Sequence, residues 1–142
     1  MRFLALRLLA ALLVMGLASA AFAQDPRTIA VQSAARAWLA FIDRGDARGA
    51  WDAAGKKFQA ALTPELWAKE LEKQRAEYGK SAERTVGPTR FQNSIPGMPD
   101  GQYAQILFRT RFANKPDGSE LLTLEREADG QWRVIGYFPR IA

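Results

Sequence analysis

Two rhythms of apolar residues divide the chain. Through the first half they recur every three or four positions, and through the second half they alternate with polar ones. The first spacing gives a helix one buried stripe, and the second gives a strand one buried face. Ile29, Ala30, Ala34, Ala37, Trp38, Phe41 and Ile42 make the first stripe. Asp25-Pro26 supplies a cap and a first-turn proline ahead of it, and Gly45 ends it. Asp46 caps a shorter helix through Trp51 and Ala54 that stops near Gly55, and Phe58 and Leu62 form one further turn. Thr63-Pro64 repeats the start signal for a helix that sets Trp67, Leu71 and Tyr78 on one face and closes at Gly79.

Residues 85–92 then read as a strand that contains Gly87-Pro88. Proline has no N–H for a central ladder, so this strand lies at an edge or carries a bulge. Residues 102–112 are the clearest strand. Ala104, Ile106, Phe108, Thr110 and Phe112 face the core, and Tyr103, Gln105, Leu107, Arg109 and Arg111 face away. Residues 120–128 and 131–139 are two more strands joined by the hairpin signal Asp129-Gly130. Continuous alternation along the last strand puts Trp132, Val134 and Phe138 inside, and Ile135 and Tyr137 outside. Helices followed by an antiparallel meander give an α+β domain. About three N-terminal helices pack on one face of a curved four-stranded antiparallel sheet, by analogy with the cystatin-like and nuclear-transport-factor-like cones.

The first residues follow neither rhythm. Arg2 and Arg7 precede an uncharged apolar run, and Ala21-Phe22-Ala23 is a small-residue cleavage pattern. This is the layout of a secretory signal peptide at residues 1–23, cut after Ala23, with a single domain at 24–142. The uncharged run from Leu8 to Ala23 is shorter than the ~18 residues of a membrane span. An uncleaved anchor is the alternative. The expectation is a periplasmic or secreted protein without a membrane span after cleavage. Loss of Arg2 and Arg7 lowers the net charge of +5 by two, and the remaining charges are interspersed. Nucleic acid requires a clustered basic face, so it is not an expected partner.

Composition removes several chemistries. The chain has no His and no Cys. A Ser-His-Asp triad, a thiolate nucleophile and an imidazole or thiolate zinc site all need those residues. No glycine-rich phosphate loop occurs. We therefore expect no cofactor, no metal site and no catalytic residue, while an inner carboxylate with a Tyr leaves isomerase- or dehydratase-type chemistry as the alternative. Asp43 and Asp52 are the helix carboxylates beside the apolar stripes, and a solvated helix face is the ordinary reading of both. Glu125, Glu127, Arg109, Arg111 and Arg133 share the outer sheet face if the strands pair in order, either as cross-strand pairs or as an anion or peptide site.

The candidate binding surface is the outer face and its neighbouring loop. Tyr103, Leu107, Ile135 and Tyr137 make an apolar patch there, which Leu121 extends and arginines rim. Pro96-Gly97 suits a type II turn and Pro99-Asp100-Gly101 a type I turn, so Ile95, Pro96, Gly97, Met98 and Pro99 form a stiff loop with two apolar side chains. The expected occupant is a protein partner or a second copy of the chain, with a small ligand as the alternative. The competing structural arrangement has the loop fold over this face and cover it.

One string of residues resembles a known family. It runs Trp38, Asp43-x-Gly45-Asp46, Ala50-Trp51, Trp67, Arg84, then Pro96-Gly97-x-Pro99-Asp100-Gly101-x-Tyr103. Phe112-x-Asn114-Lys115 and Asp129-Gly130-x-Trp132-x-Val134-x-Gly136-Tyr137 complete it. This is similar to the bacterial family known as domain of unknown function 4019. The resemblance implies an exported α+β domain and brings with it no activity, substrate or catalytic residue.

Overall fold

Both proline-led start signals open helices. Asp25 accepts the Arg27 N–H at 2.9 Å and Pro26 begins α1 (Pro26–Asp43). Thr63 accepts the Leu66 N–H at 3.2 Å and Pro64 begins α4 (Pro64–Tyr78). Between them lie α2 (Ala47–Ala53), capped by Asp46, and α3 (Lys56–Ala61), which is the further turn around Phe58. The computed structural model describes residues 24–141, so the expected signal peptide lies outside the described residues. Among them no helix is long and apolar enough to cross a membrane.

Four strands follow in meander order: β1 (Ser81–Gln92), β2 (Tyr103–Phe112), β3 (Gly118–Arg126) and β4 (Trp132–Ile141), all antiparallel. The architecture is thus the expected one, helices over one face of a curved antiparallel sheet, with four helices where about three were expected because the turn around Phe58 is a helix of its own. β1 is an edge strand whose pairing jumps from Val86↔Phe108 to Thr89↔Ile106, so Gly87 and Pro88 bulge together opposite Leu107. A Cβ on Gly87 would come within 2.9 Å of the Leu107 carbonyl oxygen, which is why the bulge carries glycine.

The core fills the space between helices and sheet. Val31, Ala35, Trp38, Leu39 and Ile42 from α1 meet Ala104, Ile106 and Phe108 from β2, Leu122 and Leu124 from β3, and Val134 and Tyr137 from β4. Phe58, Trp67 and Leu71 close it from the other helices. The indoles pack and also fasten. Trp38 Nε1 donates to Ala50 O at 2.8 Å, Trp67 Nε1 to Ala47 O at 3.1 Å, and Trp51 Nε1 to Leu62 O at 2.8 Å. Each ring tied to a neighbouring helix keeps its one donor satisfied in an apolar place.

One feature of β4 overturns the alternation read from sequence. Its pairing with β3 passes from Thr123↔Gly136 to Leu124↔Val134, so Ile135 is an extra residue, a bulge. Beyond a one-residue bulge every side chain changes face. Tyr137, expected outside, is buried in the core with its ring 5.3 Å from Trp38 and 6.5 Å from Trp67. Phe138, expected inside, stands 58% exposed on the outer face. Ile135 itself is buried rather than outward, because the α2–α3 corner covers it: Gly55 lies against its Cγ2, and the Gly55 N–H donates to Val134 O at 2.8 Å.

Candidate functional site

Inside the fold a polar cluster interrupts the apolar core. Glu120 on β3 is fully buried. Its Oε1 accepts from Arg84 Nε at 2.7 Å and Thr110 Oγ1 at 2.5 Å, and its Oε2 from the Tyr137 hydroxyl at 2.5 Å and Arg84 Nη2 at 3.3 Å. The other edge of the Arg84 guanidinium grips both oxygens of Asp43 at 2.9 Å, and Ser81 Oγ also donates to Asp43. Asp43 is therefore a partner of the β1 arginine and not a free carboxylate on a helix face. Asp52 stays at the surface, paired with Arg48 one helical turn away.

The electrostatics follow from this geometry. Burial and the neighbouring Glu120 push the Tyr137 phenol far above its ordinary pKa. Burial alone would raise the Asp43 carboxyl, but the hydrogen bonds and charge of Arg84, with Ser81, outweigh it and hold Asp43 below the usual range. Glu120 has its acceptor directions occupied by three different side chains. The void beside Tyr137, among Ile42, Leu71 and Tyr78, measures about 20 Å³, room for one water. A carboxylate beside a tyrosine is thus present in the interior, fastened to its neighbours, with the aromatic core against it.

The outer sheet face has the opposite character. Cross-strand register aligns Leu107, Leu121 and Phe138 in one row perpendicular to the strands, and Pro88, in the bulge opposite Leu107, extends it onto β1. One flanking row holds Arg90, Gln105, Thr123 and Gly136, and the other holds Thr85, Arg109, Ser119 and Arg140. A groove of about 280 Å³ follows the apolar row, lined by Pro88, Arg90, Gln105, Leu107, Leu121 and Arg140. An adjoining groove of about 520 Å³ runs past Arg109 and Arg111 to Glu83 and Asp117.

The arginines sort sharply by location. Arg27, Arg48, Arg84 and Arg133 pair with carboxylates. Arg36 and Arg44 lie over the rings of Phe108 and Phe41, and Arg75 and Arg126 donate to backbone carbonyls. Arg90, Arg109, Arg111 and Arg140 are exposed on the outer face and have no ion pair with any of the described residues.

A family model described as Protein of unknown function (DUF4019) matches residues 34–137. The chain belongs to the DUF4019 family. No curated protein matches it significantly. Among solved structures, this DUF4019 protein is similar to a scytalone dehydratase-like protein from Novosphingobium aromaticivorans, at 12% identity and a TM-score of 0.47, covering 82% of this chain and 84% of that one. The matched span contains the whole interior cluster, Arg84, Thr110, Glu120 and Tyr137, and ends one residue before Phe138.

The residues singled out from sequence are placed as follows in this DUF4019 protein. Leu107 lies half-buried on the outer face, as alternation requires, with Leu121 beside it. Tyr103 is on the outer side too but is only 1% exposed, because its own loop covers it: its hydroxyl donates to Pro99 O at 2.6 Å. The loop has the expected turn, with Met98 N–H donating to Ile95 O at 3.0 Å and Gly97 at φ 82°. Ile95 is half-buried, while Pro96, Gly97, Met98 and Pro99 are exposed. Ile135 and Tyr137 leave the surface for the reason given above, and Phe138 takes their place.

The end of the sheet near Tyr103 is charge-paired, through Lys57 with Glu125 and Arg133 with Glu127 and Asp129. Of the five charges expected on the outer face, only Arg109 and Arg111 lack a carboxylate partner there. Sequence reasoning missed Glu120 altogether. Its signal was parity: it alternates with Leu122 and Leu124, which face the core, just as Thr110 alternates with Phe108 and Phe112.

Proposed function

We propose that this DUF4019 protein is an exported binding module of the cell envelope, periplasmic or secreted, that takes its partner on the outer face of the sheet without transforming it. The tripartite N-terminus supports export. The observation that carries the binding role is the set of three exposed arginines, Arg90, Arg109 and Arg140, that flank the apolar row of Leu107, Leu121 and Phe138 without an ion pair to any described residue. Exposed apolar patches rimmed by charge are characteristic of contact surfaces. A wet sheet face with no such role would be expected to pair its charges, as the end near Tyr103 does through Lys57 with Glu125 and Arg133 with Glu127 and Asp129.

A second reading has one observation in its favour, the Glu120–Tyr137 pair inside the fold, which is the minimal equipment of an isomerase- or dehydratase-type enzyme. The saturated acceptors of Glu120 and the water-sized void weigh against it, since a proton-transfer group must reach its substrate.

The experiment is capture from the native envelope. Tagged protein is recovered from the extracytoplasmic fraction, its N-terminus is read by mass spectrometry, and co-purifying proteins and small molecules are compared between wild type and a Leu107→Glu, Phe138→Glu variant. A mature N-terminus at Gln24 and a partner lost from the folded variant are expected. An intact Met1 on a cytoplasmic protein refutes export. A variant that retains every partner of the wild type refutes the surface.

A further inference from the structure

Resting on the reading of the outer face as the binding surface, we infer that its occupant is a single-chain anionic amphiphile, a long-chain carboxylate lying along the row from Pro88 to Phe138 with its head on Arg90 or Arg140.

The shape of the row points to a hydrocarbon chain. It crosses all four strands, so its length is three strand spacings, about 14 Å. It is one residue wide, because the next side chains on the same face lie two positions along each strand, about 7 Å away. Leu107 and Leu121 are half-buried and line a shallow groove with Pro88, and Phe138 is exposed at the β4 end of the row. The Phe138 ring leans over Gly136, 3.2 Å from where a Cβ would be.

A polypeptide suits this groove poorly. Every peptide unit needs partners for its N–H and C=O. The middle strands β2 and β3 spend theirs on in-plane ladders with both neighbours. Peptides that bind sheets by their backbone therefore add at an edge, and this row runs across the middle. An alkyl chain has no such groups to satisfy.

The charges choose the head. Arg90 stands on one side of the row and Arg109 and Arg140 on the other. A guanidinium presents a planar fork that matches a carboxylate in two parallel hydrogen bonds. A second copy docked face to face would set the same arginines against each other, since a two-fold interface joins identical patches. An anionic bilayer would satisfy the arginines, but a leaflet offers many chains to a row that seats one.

The test uses laurate below its micelle-forming concentration, followed by calorimetry and by backbone amide shifts of the intact mature protein. Saturable binding is expected, with shifts centred on Leu107, Leu121 and Phe138. An Arg90→Gln, Arg140→Gln variant should bind laurate at least about tenfold more weakly, the loss of a charge-assisted hydrogen bond. Arg36→Gln, on the helix side, should bind as wild type does. Dodecyltrimethylammonium, of the same chain length and opposite charge, should give no saturable shift in this row.

Equal binding of the two chains, or an unchanged affinity in the double arginine variant, overturns the inference. So does binding to phosphatidylglycerol vesicles without binding to monomeric laurate, which would make the face a membrane contact. If laurate fails while the Leu107→Glu, Phe138→Glu variant still loses a captured partner, the ligand class is wrong and the binding module stands. If neither ligand nor partner responds to that variant, both readings fall.

Discussion

Removing one oxygen atom from Tyr137 tests the interior cluster with little disturbance of packing. Tyr137→Phe keeps the ring against Trp38 and Trp67 and deletes only the hydroxyl that donates to Glu120 Oε2 at 2.5 Å. A hydrogen bond to a charged partner is worth about 1.5–3 kcal/mol, and Glu120 is fully buried, so water cannot replace the donor. The expected loss is therefore in that range, which for a domain of this length is a fall of about 6–12 °C in Tm. Urea denaturation followed by circular dichroism measures it. Glu120→Gln should cost more, about 3–5 kcal/mol, because it leaves Arg84 without its buried counter-charge. The double variant should lose less than the two single losses combined, since both remove the same bond. The phenol also leaves a pH signature. Its pKa is raised in the folded state, so the folded protein keeps a proton that the unfolded chain releases near pH 10. Stability from this source is complete below that pH and declines above it. Tyr137→Phe should reduce the alkaline decline without abolishing it, because burial also raises Tyr78. A loss below about 0.5 kcal/mol, the level of an ordinary surface substitution, together with an unchanged alkaline limb, would refute the cluster.

Three further outcomes are expected. Tyr137→Asp should unfold the domain while Phe138→Asp changes stability by no more than about 0.5 kcal/mol, a contrast that reverses if Ile135 is not a bulge; thermal melts of the two variants decide it. Asp43 has a lowered pKa in the folded state, so its contribution is present above the ordinary carboxylate value of about 3.9 and lost as pH falls through and below it; Asp43→Asn should flatten the acid limb of a stability–pH curve over that interval. Gly97→Ala should destabilise by about 1 kcal/mol, because φ is 82° with open space around the position and the penalty is one of backbone conformation alone; an effect near zero in equilibrium unfolding would mean the turn adapts.

Local chemistry made much of the fold legible. Asp25 and Thr63 mark their helices because the caps are sequence neighbours of the groups they satisfy. Gly87-Pro88 announces a bulge because proline cannot join the ladder. The bulge at Ile135 has no such mark. A β-branched apolar residue continues the alternation without a break, and what accommodates the extra residue is Gly55, far away in sequence. For the same reason Glu120 was invisible as a site: parity turns it inward, but its donors come from β1, β2 and β4, and only the register of all three strands brings them together. The outer surface was half legible. Leu107 and the arginines follow from alternation in β2, whereas Phe138 arrives there only after the bulge. Tyr103 is hidden by a loop whose turns were readable but whose direction was not.

The Arg84 bridge also bears on time. It joins β1 to Asp43, 41 residues earlier, and to Glu120, 36 residues later, whereas each strand pairs with its immediate successor. Closing a longer loop costs more entropy, so the hairpins come together before the guanidinium finds both carboxylates. Contacts completed after the folding barrier slow escape from the native state and leave the rate of arrival almost unchanged. Arg84→Met should therefore steepen the loss of native protein in unfolding jumps and leave refolding jumps nearly as they were, the outcome expected if this arginine helps set how long the folded molecule lasts.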